Sequence, residues 1–98
     1  MGLMCARSDH LLLRVILEYA QRGMCPTVGL STVEDVLART KGFGFSMDEA
    51  IRGCKELQLI EMHEAAGMVT ITATGCLMAG PYDLPEDIAE AMGPSPRE

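Results

Sequence analysis

The alternation of apolar and polar positions is clearest in residues 46–75. The first part has apolar residues three or four positions apart, which places them on one face of a helix. From Met68 to Ala73 apolar residues occupy every second position, as in a strand with one buried face. We therefore predict a helix followed by a hairpin, with Ile60–His63 as the other strand and Ala66-Gly67 at the tip. The residues of the helical face are Met47, Ala50, Ile51, Cys54 and Leu57.

The beginning of the chain predicts one long helix and a short strand. The helix runs from Ser8 or Asp9, either of which can cap it, to about Arg22, and Gly23 follows as its stop. Between this helix and the next one, Thr27-Val28 predicts a strand of one or two residues. The apolar stripe of the helix is broad, which is more often a core face than an interface. It consists of Leu11, Leu12, Leu13, Val15, Ile16, Tyr19 and Ala20.

A shorter helix and a turn connect this region to the helix of residues 46–57. The shorter helix starts with Ser31-Thr32-Val33-Glu34, a capping box, and ends near Thr40. The longer one starts with Ser46-Met47-Asp48-Glu49, which has the same form. The joint between them, Lys41–Phe45, is interpreted as the turn of a helix-turn-helix.

The end of the chain predicts one more helix. Thr74-Gly75 is expected to end the second strand of the hairpin, and Cys76–Ala79 to form a helical turn. The residues Asp83–Asp87 then favour a helix start, with the cap at the first or second of them and acids at the positive end of the helix dipole. Gly93-Pro94 ends this helix. Its apolar face is formed by Leu84, Ile88 and Met92.

Two segments of the chain carry a family resemblance. Glu56-Leu57-Gln58-Leu59-Ile60, and after the hairpin Ile71-Thr72-Ala73-Thr74-Gly75, resemble winged helix-turn-helix repressors of the multiple-antibiotic-resistance and phenolic-acid types. The resemblance covers roughly residues 31–75. It implies a mainly α, α+β fold with three helices, a two- or three-stranded wing and a short C-terminal helix. Residues 1–98 would form a single domain, with a core of residues 8–80 and a C-terminal helix and tail of residues 81–98.

The chain departs from that family pattern at two places. Gln58 stands where many members have Gly, so we expect the helix to end without a left-handed cap. The wing sequence Glu61–Gly67 contains two Glu and no cation, whereas many DNA-binding wings carry Arg or Lys. The second departure puts DNA contact by the wing in doubt.

The charge of the chain is unevenly distributed. Its 98 residues have a net charge of −6. Residues 1–55 hold seven Lys/Arg and six Asp/Glu, a net charge of +1, and residues 56–98 hold one Lys/Arg and eight Asp/Glu, a net charge of −7. Such asymmetry bears on the choice of partner more directly than any short motif in this chain.

DNA-binding transcriptional regulation is the first functional hypothesis. DNA affinity depends on neutralising phosphates with Lys and Arg, and the helix-turn-helix region supplies several cations. Asp48 and Glu49 oppose this hypothesis, because they occupy the first turn of the helix that would enter the groove. The candidate DNA-binding residues are Arg39, Lys41, Ser46, Arg52 and Lys55.

A protein-interaction module that does not bind DNA, such as an adaptor or a phage-type inhibitor, is the alternative. Its acidic wing would face a basic protein surface. Phe43 and Phe45 either fold back onto the core or form an exposed aromatic contact for a partner. The candidate partner-binding residues are Phe43, Phe45, Glu61, His63 and Glu64.

Catalysis and metal binding are not indicated. His10 and His63 are the only histidines, and neither has a predicted partner that would make it a base. The chain has no phosphate-binding loop and no C-x-x-C, and its four Cys are widely spaced. We therefore expect no enzyme activity, no metal and no cofactor.

The expected setting is the cytoplasm, with reduced thiols and no membrane contact. No apolar run approaches membrane-spanning length, and no secretory signal precedes the first helix. Because regulators usually read two half-sites, we expect a homodimer. The predicted dimer elements are the Leu11–Tyr19 helix and the Leu84–Met92 helix.

Overall fold

The fold is described by a computed structural model that covers residues 7–39, 47–80 and 84–93, with side chains from His10 onward. It is α+β and mainly helical, as predicted. The described elements, in chain order, are α1 (Arg7–Gly23), β1 (Thr27–Gly29), α2 (Leu30–Arg39), α3 (Met47–Glu56), β2 (Ile60–His63), a 3₁₀ turn (Glu64–Ala66), β3 (Met68–Ile71), α4 (Ala73–Ala79) and α5 (Glu86–Met92).

The three strands form one antiparallel sheet in the order β1-β3-β2. The predicted hairpin is confirmed, with Met62 opposite Val69 and a left-handed Gly67 at its tip. The short strand predicted at Thr27-Val28 is also confirmed, and Val28 pairs with Val69 from the other side. A segment from before α2 therefore becomes the third strand of the hairpin sheet.

Helix α1 lies at the centre of the core. It contacts α2, α3, α4, β1 and β3, which explains the width of its apolar stripe. Leu11 and Tyr19 at the margins of the stripe are partly buried against the same core. Within the chain itself, six α1 side chains are buried: Leu12, Leu13, Val15, Ile16, Leu17 and Ala20.

Helix α1 ends one residue later than expected. Gly23 belongs to the helix, and Met24 is the residue with the left-handed backbone, at φ 53°. The amide of Cys25 donates to the carbonyl of Ala20 at 3.0 Å, and that of Met24 donates to Gln21 at 3.3 Å. These two bonds satisfy the last carbonyls of the helix in a Schellman arrangement, so the prediction of Gly23 as the stop was wrong.

Helix α3 ends in the same way, contrary to expectation. Gln58 adopts φ 59°, the left-handed conformation that its side chain was expected to prevent. The amide of Leu59 donates to the carbonyl of Cys54 at 2.9 Å, and that of Gln58 donates to Lys55 at 3.0 Å. Leu59 and Cys54 are both buried, so tertiary packing holds this turn in place although a non-Gly residue is strained there.

Two helix starts also differ from the prediction. Helix α2 begins at Leu30, whose amide donates to the carbonyl of Gly67 at 2.9 Å, so Ser31 lies inside the first turn. Strand β3 ends at Ile71, and Thr72 caps α4 by accepting from the amide of Gly75 at 3.0 Å. The predicted strand end at Thr74-Gly75 was therefore wrong, because the cap starts the helix earlier.

Helix α5 packs against α2 through the predicted apolar face. Its N-cap is Pro85 rather than Leu84, with no side-chain hydrogen bond at the cap, and Asp83 lies outside the described residues. At the other end, Arg22 Nη1 of α1 donates to the carbonyl of Met92 at 3.4 Å. A cation at this position also suits the negative end of the helix dipole.

Candidate functional site

Helix α3 presents two faces of different character. Ala50 and Cys54 are buried, because the apolar positions of the helix pack on the core. Arg52 and Lys55 are exposed and lie three residues apart, so they project from neighbouring positions on the opposite side. The exposed side of α3 is therefore the described surface at which two long cationic side chains stand together.

Acids share this surface. Asp48, Glu49 and Glu56 of α3 are exposed, so with Arg52 and Lys55 the helix has a net charge of −1. A shallow depression on the helix is lined by Ile51 together with charged residues of both signs. Phosphate would be attracted at the Arg52 and Lys55 end and repelled by the acids of the first turn.

The hairpin lies beside the end of α3. A second depression is lined by Lys55, Gln58 and Glu61, and by residues 72–74 at the start of α4. Lys55 lines both depressions, so it stands between the helix surface and the hairpin. Glu61 and Glu64 are exposed, which leaves the described part of the hairpin acidic.

A row of polar side chains crosses the outer face of the sheet. Thr27 Oγ1 and Thr70 Oγ1 are 2.7 Å apart, and the Thr70 hydroxyl is also 2.9 Å from His63 Nε2. Glu61 lies opposite Thr70 in the register. We did not predict this row. Its sequence signal is the alternation that turns Thr70 outward, but its pairing with Thr27 depends on the position of β1.

The remaining described cations divide into two groups. Arg14 and Arg22 each form an ion pair with Glu18 at 3.2 Å along α1. Arg39 is exposed at the end of α2. Among the side chains that the structure describes, the exposed cations are thus Arg39, Arg52 and Lys55.

Burial raises the pKa of the Tyr19 hydroxyl, while the nearby charges of Arg22 and Arg39 act in the lowering direction.

Four predicted site residues lie outside the described residues. They belong to the segment of residues 40–46, between α2 and α3. They are the DNA-binding candidates Lys41 and Ser46 and the partner-binding candidates Phe43 and Phe45.

Residues 7–39, 47–80 and 84–93 contain neither a metal-binding cluster nor a membrane-spanning helix. This part of the chain contains no group of three or more His, Cys, Asp or Glu that would hold a metal ion. None of its helices combines the length and the apolar character needed to cross a membrane. Among its cysteines, Cys54 is buried, whereas Cys25 and Cys76 are exposed. Comparison with known proteins found no matching family model, no matching curated protein and no matching solved structure.

Proposed function

We propose that the chain is a winged helix-turn-helix domain that binds double-stranded DNA as a transcriptional regulator. Two structural facts support the fold assignment: the element order α1-β1-α2-α3-β2-β3 and the sheet order β1-β3-β2. Under this proposal α2 and α3 form the helix-turn-helix, and the β2-β3 hairpin is the wing. The order of the elements supports only the fold assignment. Support for the function must come from the side chains.

The exposed pair Arg52 and Lys55 on α3 is the observation that carries DNA binding. An α-helix fits the major groove of DNA, and the long side chains on its outer face reach base edges and phosphates. An Arg in this position can bond to a guanine edge, and a Lys can neutralise a phosphate. The buried residues Ala50 and Cys54 hold the helix against the core and keep this pair directed outward.

The number of cations available on this acidic chain determines how strongly its DNA affinity is expected to depend on salt. The described surface has three exposed cations, and the sequence contains one more cation, Lys41, between α2 and α3. With about two to four phosphates neutralised, log K should fall with log salt at a slope of roughly −2 to −4. A slope in this range distinguishes contact by α3 from contact by a large basic footprint, which the described surface does not have.

Replacing both α3 cations tests the proposal directly. An Arg52→Ala, Lys55→Ala variant is expected to bind duplex DNA roughly 10- to 100-fold more weakly, because a groove contact and a phosphate contact are lost. Fluorescence polarisation with a labelled duplex of mixed sequence, titrated at low salt, measures this change. Circular dichroism should show an unchanged fold, since both side chains are exposed.

A control variant separates local contacts from net charge. The double alanine variant changes the net charge from −6 to −8, and so does Gln21→Glu with Cys25→Glu. Both control positions are exposed and lie at the end of α1 or just after it. The control should lose less than about threefold in affinity, because long-range repulsion is screened by salt. If the wild-type chain shows no binding at about 10⁻⁴ M, the DNA-binding proposal fails.

The acidic hairpin favours a second candidate function, a module that binds a basic protein surface. The described residues of the chain after Lys55 contain no Lys or Arg, and Glu61 and Glu64 are exposed on the hairpin. Charge complementarity of this kind favours encounter with a basic surface. The same titration distinguishes the two functions. This candidate would be supported if the chain binds no DNA but binds a Lys/Arg-rich peptide with an affinity that falls as salt is added.

A further inference from the structure

The outer side of helix α3 carries a carboxylate in line with its two cations. Asp48, Arg52 and Lys55 are all exposed, and all three line the same depression on the helix. Residues three or four positions apart in a helix lie one above the other on the same side. The line therefore runs from an acid in the first turn of α3 to a base in its last turn.

The position of Asp48 in this line determines which part of a DNA duplex it would meet. In helix-turn-helix complexes the N-terminal residues of the recognition helix contact base edges in the major groove. If α3 enters the groove as proposed above, Asp48 and Arg52 are the members of the line that come nearest to the bases. The Asp48 carboxylate then has to be accommodated among base edges, where its charge is either matched or opposed.

A carboxylate is selective among the base edges of the major groove. It accepts hydrogen bonds and donates none, so it is attracted to amino groups and repelled by other acceptors. Cytosine presents its N4 amino group there, whereas adenine presents its N6 amino group beside the acceptor N7, and thymine presents the acceptor O4. Among these three edges, the Asp48 carboxylate therefore fits cytosine best.

Arg52 has the complementary preference. Its guanidinium only donates hydrogen bonds, and guanine presents two acceptors, O6 and N7, in the major groove. Asp48 and Arg52 are four residues apart, which is about 6 Å along the helix axis. Successive base pairs are about 3.4 Å apart, so the two side chains reach bases within about two base-pair steps of each other. Cytosine for one and guanine for the other makes both of these base pairs G·C.

We propose that Asp48 and Arg52 make α3 selective for duplex DNA with neighbouring G·C pairs, read from the major groove. The inference rests on the proposed DNA binding and gives the acid in the first turn a role in it. At a G·C site the cytosine amino group compensates the carboxylate. At an A·T site the carboxylate meets acceptor atoms, and Arg52 loses its two-acceptor partner, so binding there is weaker.

Three duplexes of equal length test this selectivity with the full chain. One contains only G·C pairs, one only A·T pairs and one only inosine·cytosine pairs. Inosine lacks the 2-amino group of guanine, so the third duplex keeps the major-groove edges of G·C but loses the minor-groove donor. In fluorescence polarisation at low salt, the G·C and inosine·cytosine duplexes are expected to bind alike. Both should bind roughly tenfold or more tightly than the A·T duplex, which one bidentate base contact suffices to provide.

Asp48→Asn is the decisive variant, and Glu49→Gln is its matched control. Each replaces an exposed carboxylate in the first turn by its amide and changes the net charge from −6 to −5. Asn both donates and accepts, and so pairs with adenine. Asp48→Asn should therefore bind the A·T duplex about fivefold or more tightly than the wild type and reduce the preference for G·C to below about threefold. Glu49 lies outside the residues that line the depression, so Glu49→Gln should leave the preference within about twofold.

The results distinguish this inference from the DNA binding on which it rests. If the wild-type chain binds no duplex at about 10⁻⁴ M, the DNA-binding proposal fails and the selectivity fails with it. If it binds the G·C and A·T duplexes equally well, DNA binding stands and the selectivity is overturned. An inosine·cytosine duplex that binds like A·T also overturns it, because the reading would then be in the minor groove. An Asp48→Asn variant that changes the preference no more than Glu49→Gln does overturns the role of Asp48.

Discussion

A Gly75→Ala variant is expected to lose about 3 kcal/mol or more of folding free energy, at the upper end of what overpacking a core produces. Gly75 is buried in the first turn of α4. A Cβ atom added there would clash with the carbonyl oxygen of Leu59 and lie 2.8 Å from Ile71 Cγ1. The backbone that follows α3 cannot move aside easily, because the Leu59 carbonyl also accepts the amide of Thr72 at 3.0 Å.

Urea denaturation followed by circular dichroism measures this loss, and Gly23→Ala is the matched control. Nothing lies within 4 Å of a Cβ built at Gly23, which is exposed in the last turn of α1. The control should be neutral or stabilised by up to about 1 kcal/mol, because Ala favours the helix more than Gly does. A Gly75→Ala protein within about 1 kcal/mol of the wild type would contradict the close packing described for α4.

The second large effect is expected in helix α5. Ile88→Ala should destabilise the chain by about 2–5 kcal/mol, because it leaves a cavity where α5 packs on α2. Ile88 is 1% exposed, whereas Leu84, just before the helix, and Met92, at its end, are only partly buried. For a domain whose total stability is about 5–15 kcal/mol, this loss is a large fraction.

Ile88→Val provides the graded control, with an expected loss of about 0.5–1.5 kcal/mol. If α5 unfolds together with the rest of the chain, the slope of free energy against urea should stay the same while the midpoint falls. A loss below about 1 kcal/mol for Ile88→Ala would instead mean that α5 contributes little to the cooperative unit. Chemical denaturation monitored by circular dichroism distinguishes these results.

The joint between β3 and α4 shows why part of the fold was not predictable. Thr72 and Gly75 belong to the segment that carries the family resemblance, yet the strand was expected to continue through them. In the structure the Thr72 hydroxyl lies 2.9 and 3.0 Å from the carbonyl oxygens of Gln58 and Leu59 and accepts the amide of Gly75. A threonine among apolar neighbours favours a strand locally, and only its long-range partners turn it into a cap.

The candidate site, like the fold, was only partly predictable from the sequence. The spacing of apolar residues in α3 was enough to predict which side of the helix is buried, since helical periodicity is local. The exposed positions of Arg52 and Lys55 follow from that spacing. The row formed by Thr27, Thr70 and His63 was not predictable, because it joins residues 43 and 7 positions apart across the sheet.

By itself the sequence determined the order of the helices and strands, the acidity of the second half of the chain and the polarity of each helix face. These depend on residue type and on spacings of two to four positions. The tertiary structure decided which apolar face is covered by the chain itself and which is left open. Helix α1, with the widest apolar stripe, is covered within the chain, whereas the short helix α4 keeps Leu77 exposed. Burial depends on contacts between residues far apart in the chain, and local spacing carries no information about them.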